Sequence, residues 1–192
     1  MKNERHAAII MGELRAQEGE KKFIEGYFAV FNSRTQLWPG CYEEVLIGAF
    51  DETLSNDIRV LTNHDTTLVL GRNKSGTAEL KADSRGLWGR VEINENDLDA
   101  LNLHARVMRG DVDQCSFGFN ILDEEISYLD NGDVLFRLKK VDLHEVSICT
   151  FPAYPETSVQ ARKSDVEQFK TRQLDIAKKR LLKKLKGDKD NA

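Results

Sequence analysis

Cysteine, proline and histidine are all scarce in this 192-residue chain, and each scarcity excludes something. The three cysteines, Cys41, Cys115 and Cys149, are odd in number and lack Cys-x-x-Cys spacing. That does not fit a disulfide framework; it fits buried thiols in a reducing compartment. No pair of Cys or His has zinc-ligand spacing, so neither a metal nor a cofactor is expected. No apolar run approaches the roughly 20 residues of a membrane span. Met1-Lys-Asn-Glu-Arg-His6 precedes only a short apolar patch, which is not a signal-peptide pattern. Two of the three prolines fall in Phe151-Pro-Ala-Tyr-Pro155, and they mark the end of the sheet region because proline cannot donate to a strand ladder.

What is present is ordinary in amount and uneven in place. An apolar content of 40% and a charged content of 31% suit one soluble domain with a real core and a short appendage. Residues 162–192 carry eleven Lys and Arg against five Asp and Glu, a net of +6. The rest of the chain therefore carries −10 of the total −4. An acidic body of −10 repels phosphate, so a nucleic-acid partner is not expected.

The hydropathy pattern predicts an α+β fold of about seven strands, mostly antiparallel, as a small barrel with helices around it. Residues 22–31 read as a strand buried on both faces, and Gly48–Leu54 as a short helix. A strand over Ile58–Leu61 leads to His64, residues 71–77 form a loop, and 87–93 alternate as another strand. Asn94 is positioned to cap a helix that runs to Arg109 and stops at Gly110. Asp130-Asn-Gly-Asp133 predicts a hairpin with a type I′ turn. The chain divides into an arm over 1–20, a domain over 21–161 and a basic amphipathic helical tail over 162–192. In the tail Val166, Phe169, Leu174, Ala177, Leu181 and Leu185 recur among Lys and Arg, and the last six residues are frayed.

Residues 112–119 carry the chemistry. In a strand, Cys115, Phe117, Phe119 and Ile121 face one way while Ser116, Gly118 and Asn120 face the other. This sets a hydroxyl on the polar face, with a side-chain-free neighbour in the same row that lets another backbone approach. A serine nucleophile also needs a base. Of four histidines, His6 sits in the polar arm and His104 in a predicted helix, where it packs or is solvated. His64 and His144 lie at strand ends, where a scaffold holds a side chain firmly.

In chain order the sequence reads Gly48-Ala-Phe, then Leu61-Thr-Asn-His64-Asp with Leu70-Gly71, and then Gly110, six residues before Ser116-Phe-Gly-Phe. Leu143-His-Glu145-Val-Ser-Ile and Phe151-Pro-Ala-Tyr-Pro155 follow. This series resembles the prohead maturation proteases of tailed bacteriophages, distant relatives of the herpesvirus assemblins, over about residues 20–160. The resemblance implies a serine endopeptidase on an assemblin-like barrel. It implies cleavage of scaffold and capsid-protein precursors inside an immature shell in the host cytoplasm, with self-association. Ser116 takes the place of the nucleophile and His64 that of the base.

Glu145 falls in the acidic position of the family motif, and the resemblance implies that it orients His64. His144 is its rival, because assemblins use a second histidine there. In a regular strand their side chains point to opposite faces, so only one reaches His64. The apolar phase slips between odd Val141 and Leu143 and even Val146 and Ile148, and a bulge re-aims one of the two. Phe117 stands where an aliphatic residue is expected, and Cys115 precedes the serine. Both sit on the core face and affect packing. Two other classes compete: a catalytically inactive capsid-assembly or scaffolding protein with a basic docking tail, and a nucleic-acid binder acting through that tail.

Overall fold

The computed structural model describes residues 5–9, 14–17, 19, 21–151 and 156–187. The chain divides into two compact units, Met1–Pro155 and Glu156–Ala192. Pro152–Pro155, residues 188–192 and the side chain of His6, all singled out above, lie outside the described residues.

The first unit is α+β and mostly strand. Its larger sheet has seven strands. The central pair is β10 (Gln114–Tyr128) and β11 (Val134–Cys149), the two arms of one long antiparallel hairpin. β1 (Arg5–Ile9) pairs with the outer edge of β10, Ala8 opposite Ser116. The outer edge of β11 is shared. Its first part pairs in parallel with β5 (Cys41–Val45), which pairs with β4 (Thr35–Trp38). Its last part pairs in parallel with β6 (Arg59–Thr62), which pairs with β7 (Asp65–Arg72). The smaller sheet runs in the order β2 (Arg15–Gln17), β3 (Phe23–Val30), β9 (Gly86–Glu92), β8 (Ala78–Ala82).

The expected barrel of about seven strands is thus corrected. Eleven strands among the described residues form two sheets that do not close into a barrel. Both sheets feed one core. Ile24, Phe28, Leu87 and Val91 from the smaller sheet join Phe117, Phe119, Leu143, Val146 and Ile148 from the larger. Gly71 of β7 shows how close the layers come: a Cβ there would lie 2.6 Å from a Val91 methyl and 3.0 Å from the Thr77 carbonyl oxygen. Only glycine fits such an approach.

Local readings differ where tertiary bonds compete with propensity. Residues 48–54 are successive turns, not a helix. Asp51 and Thr53 donate to the carbonyls three residues back, at Gly48 and Phe50, both at 3.1 Å. This segment is tied to β11 instead: Ala49 O accepts from Val141 N–H at 3.1 Å, and Thr53 Oγ1 from Leu143 N–H at 2.7 Å. β3 alternates, with Ile24, Gly26 and Phe28 buried and Phe23, Glu25 and Tyr27 partly exposed, so it is not covered on both faces. The predicted helix begins later, as α1 (Leu98–Arg109), with Asp97 as its cap accepting from Asp99 and Ala100 N–H. Asn94 makes a turn of its own to Asn96 N–H. The helix stops at Gly110 as expected.

The β10–β11 turn is closed by Leu129 N–H to Asp133 O at 2.8 Å. Gly132 is at φ 87° while Asn131 is not left-handed. That is a three-residue loop with a glycine bulge, not type I′. In the second unit α2 (Glu156–Gly187) begins ahead of Arg162, and Leu174, Ile176 and Leu181 are exposed along it. No helix among the described residues is long and apolar enough to cross a membrane.

Candidate active site

The register of three strands builds one face. Ser116 of β10 lies opposite Ser147 of β11, and Gly118 opposite Glu145. On the other edge of β11, Glu145 lies opposite Arg59 and Ser147 opposite Leu61 of β6. Ser116, Gly118, Glu145 and Ser147 therefore share one side of the sheet. Cys115, Phe117, Val146 and Ile148 take the other side and enter the core, where Phe117 meets Phe50 edge-on at 5.5 Å. The expected alternation is thus found over 115–118, in a strand that begins at Gln114 rather than Val112. The face carrying Ser116 is not open to water here, however: Ser116 and Ser147 are both fully buried.

His64 comes from the β6–β7 turn. Thr62 pairs with Asp65, and both residues between them are left-handed, Asn63 at φ 51° and His64 at φ 61°. This is the two-residue geometry of a type I′ hairpin. A non-glycine residue held there costs on the order of 1–3 kcal/mol and persists only when its surroundings over-determine it. Three bonds to β11 and to Thr150, the residue after it, do so. Asn63 N–H donates to Ile148 O at 3.0 Å, Thr150 N–H to Asn63 Oδ1 at 2.9 Å, and His64 N–H to Ser147 Oγ at 3.1 Å.

The turn folds the imidazole back onto the site face. His64 Nδ1 lies 2.7 Å from Glu145 Oε1, with the carboxylate almost wholly buried and the His64 side chain about 20% exposed. Glu145 Oε2 accepts from Ser147 Oγ at 2.6 Å. His144 is placed elsewhere: its Nε2 lies 2.7 Å from Asn120 Nδ2 and 4.0 Å from Asp142.

The cause is a bulge. Gly118 pairs with Glu145 and Phe119 with Leu143, which leaves His144 as the extra residue on β11. The phase slip between Leu143 and Val146 is this irregularity. A bulge of this kind sets two residues opposite one and interrupts the regular alternation between them. Of the two neighbours, Glu145 is the one bonded to His64.

The cysteines form no disulfide, and all three are buried. Burial pushes the Cys115 thiol far up, and burial followed by the nearby Glu145 charge pushes Cys149 up to about 12. Neither is a thiolate at neutral pH. His104 packs on α1, its Nε2 3.2 Å from Gln17 O. Among the described residues no group of His, Cys, Asp and Glu has a metal-binding arrangement.

The sequence pattern turns Ser147 away from the core with Glu145 but assigns no role to it or to Asn63. Asn tolerates left-handed backbone, and its place just before His64 was the available signal. Ser147 stands two residues from Glu145 on one strand, hence on one face.

Comparison with known proteins gives the family. Residues 11–172 match the caudovirus prohead serine protease family. The chain is 30% identical over 151 residues to the prohead protease of Enterobacteria phage HK97, covering 77% of this chain and 63% of that one. It thus spans less than two thirds of the relative's length. A solved structure, the bacteriophage T4 capsid assembly protease gp21, aligns at 12% identity with a TM-score of 0.46, over 76% of this chain and 98% of its own. At that distance the likeness bears no weight. The chain belongs to the caudovirus prohead serine protease family.

Proposed function

We propose that this family member is a serine endopeptidase in which Ser116 is the nucleophile, His64 the general base and Glu145 the residue that orients it. The observation that carries the reading is the His64 Nδ1–Glu145 Oε1 bond of 2.7 Å, made on the face of the sheet that bears Ser116. A hydroxyl is a weak nucleophile until a base removes its proton. With Nδ1 donating to the carboxylate, His64 presents Nε2 as the base. It takes the Ser116 proton as Oγ adds to the scissile carbonyl, and returns it to the leaving amine. Glu145 stays ionised and compensates the imidazolium formed between those steps. Water then repeats the cycle on the acyl-enzyme.

The substrates in this reading are scaffold and capsid-protein precursors, cut inside an immature shell in the host cytoplasm by a self-associating enzyme. Kinship to the assemblins rests on the order of the motifs. The peptidase function belongs to residues 21–161. The basic stretch 162–192, helical through Gly187, docks on an acidic or coiled-coil scaffold partner. The test is co-expression with the neighbouring scaffold and capsid gene products, read by mass. Processing should occur with the native chain and vanish with Ser116→Ala at unchanged folding. Cleavage that survives Ser116→Ala rejects the assignment and favours an inactive assembly protein. Ending the chain after Ala161 should leave cleavage of a soluble precursor intact and reduce incorporation into shells. Equal incorporation removes the docking role.

A further inference from the structure

We propose that Ser147 is a positioning residue that sets both the backbone of His64 and the direction of the proton relay. The inference rests on the reading above and adds a member to it. Three hydrogen bonds close a ring: His64 N–H to Ser147 Oγ at 3.1 Å, Ser147 Oγ to Glu145 Oε2 at 2.6 Å, and Glu145 Oε1 to His64 Nδ1 at 2.7 Å. Two of its groups, the Ser147 hydroxyl and the imidazole, can in principle reverse donor and acceptor. The backbone amide cannot, because it only donates.

The direction of the whole ring follows from that amide. Ser147 Oγ accepts from His64 N–H and keeps one proton. At 2.6 Å that proton goes to Oε2. A carboxylate accepting on Oε2 and ionised accepts on Oε1 as well, so the proton on that side belongs to His64 Nδ1. The imidazole is then held as the Nδ1–H tautomer, and Nε2 carries the lone pair a general base requires. A serine committed in this way is not a second nucleophile, although it sits on the Ser116 row and is equally buried.

The same hydroxyl helps hold His64 in its left-handed turn. Removing it should therefore disturb the orientation of the base and that of the acid together. A residue that merely filled space would do neither.

The experiment uses the full chain with a fluorophosphonate probe, whose labelling rate at Ser116 reads the activated hydroxyl. Ser147→Ala should slow labelling about 10- to 100-fold, the range covered by loss of one hydrogen bond to a charged group. Ser147→Thr, which keeps the hydroxyl, should recover most of that rate. In parallel, the native chain labelled with 15N-histidine should show the neutral His64 ring protonated on Nδ1, its signals assigned by their loss in His64→Gln. This second measurement reads the native chain, and a variant enters only in the assignment. A native ring protonated on Nε2 overturns the proposal. So does native-like labelling in Ser147→Ala. Failure of the native enzyme to label at Ser116 at all rejects the underlying serine-peptidase reading instead, so the two failures are distinct.

Discussion

The two faces of the β10–β11 hairpin near Ser116 are buried to the same degree and have opposite chemistry. On one side Cys115, Phe117, Val146 and Ile148 are part of the common core. On the other, Ser116, Ser147 and Glu145 are just as inaccessible, but Glu145 and Ser147 are joined by short hydrogen bonds that run back to the His64 turn. Burial therefore does not tell core from site here. The core face contributes non-directional stabilisation that tolerates repacking. The site face holds polar atoms whose desolvation is offset only while the bonds persist. Changes on one face should chiefly move stability, and changes on the other chiefly turnover.

The largest effect after loss of Ser116 itself is expected at Glu145. Glu145→Gln should lower turnover by roughly 10³–10⁴-fold, as when a triad acid loses its charge. Substrate binding should change little, since the loss falls on the transition state. His144→Ala should cost far less, because His144 contacts Asn120 and Asp142 rather than His64. Rates for the two variants at matched folding check this. The reverse ranking would transfer the orienting role to His144 and break the division between faces.

A smaller effect, of a different kind, is expected across the strand. Phe117→Ala removes a fully buried ring that contacts Phe50 and Phe119. It should cost about 3–5 kcal/mol of stability in a denaturant titration. The probe-labelling rate of the molecules that remain folded should stay close to native. A collapse of that rate without loss of stability would show that the faces are not separable.

How much of this was legible follows from which signals are local. The period of two over 112–121 placed Ser116 and Phe117 on their faces, because alternation depends only on the strand. The phase slip across 143–146 marks the bulge without reference to a partner strand. The turn at Asn63–His64 was not legible, since a histidine in left-handed backbone is stabilised by β11, some 80 residues on in the chain. The helix expected over 48–54 failed for the same reason: Ala49 and Thr53 bond to β11 instead. Two sheets were read as one barrel because the pairing of β5 and β6 along one edge of β11 is set by non-local contacts.

The smallest expected effect comes from a buried thiol near Glu145. Cys149 follows Ser147 by two residues, and burial together with the Glu145 charge pushes it up to about 12 from an ordinary 9.0. The raised value makes the folded state retain a proton that the unfolded chain gives up. Stability should thus be constant with respect to this group below pH 9 and decline above it, because there the unfolded state binds fewer protons. At pH 10.5 the contribution lost is about 2 kcal/mol, from 1.36 kcal/mol per pH unit. Cys149→Ala should show a shallower decline between pH 9 and 10.5 in paired denaturant titrations. An identical slope in both proteins would mean that Cys149 ionises in the folded state as readily as in the unfolded one. The low-dielectric, acid-bearing environment attributed to this thiol would then be wrong.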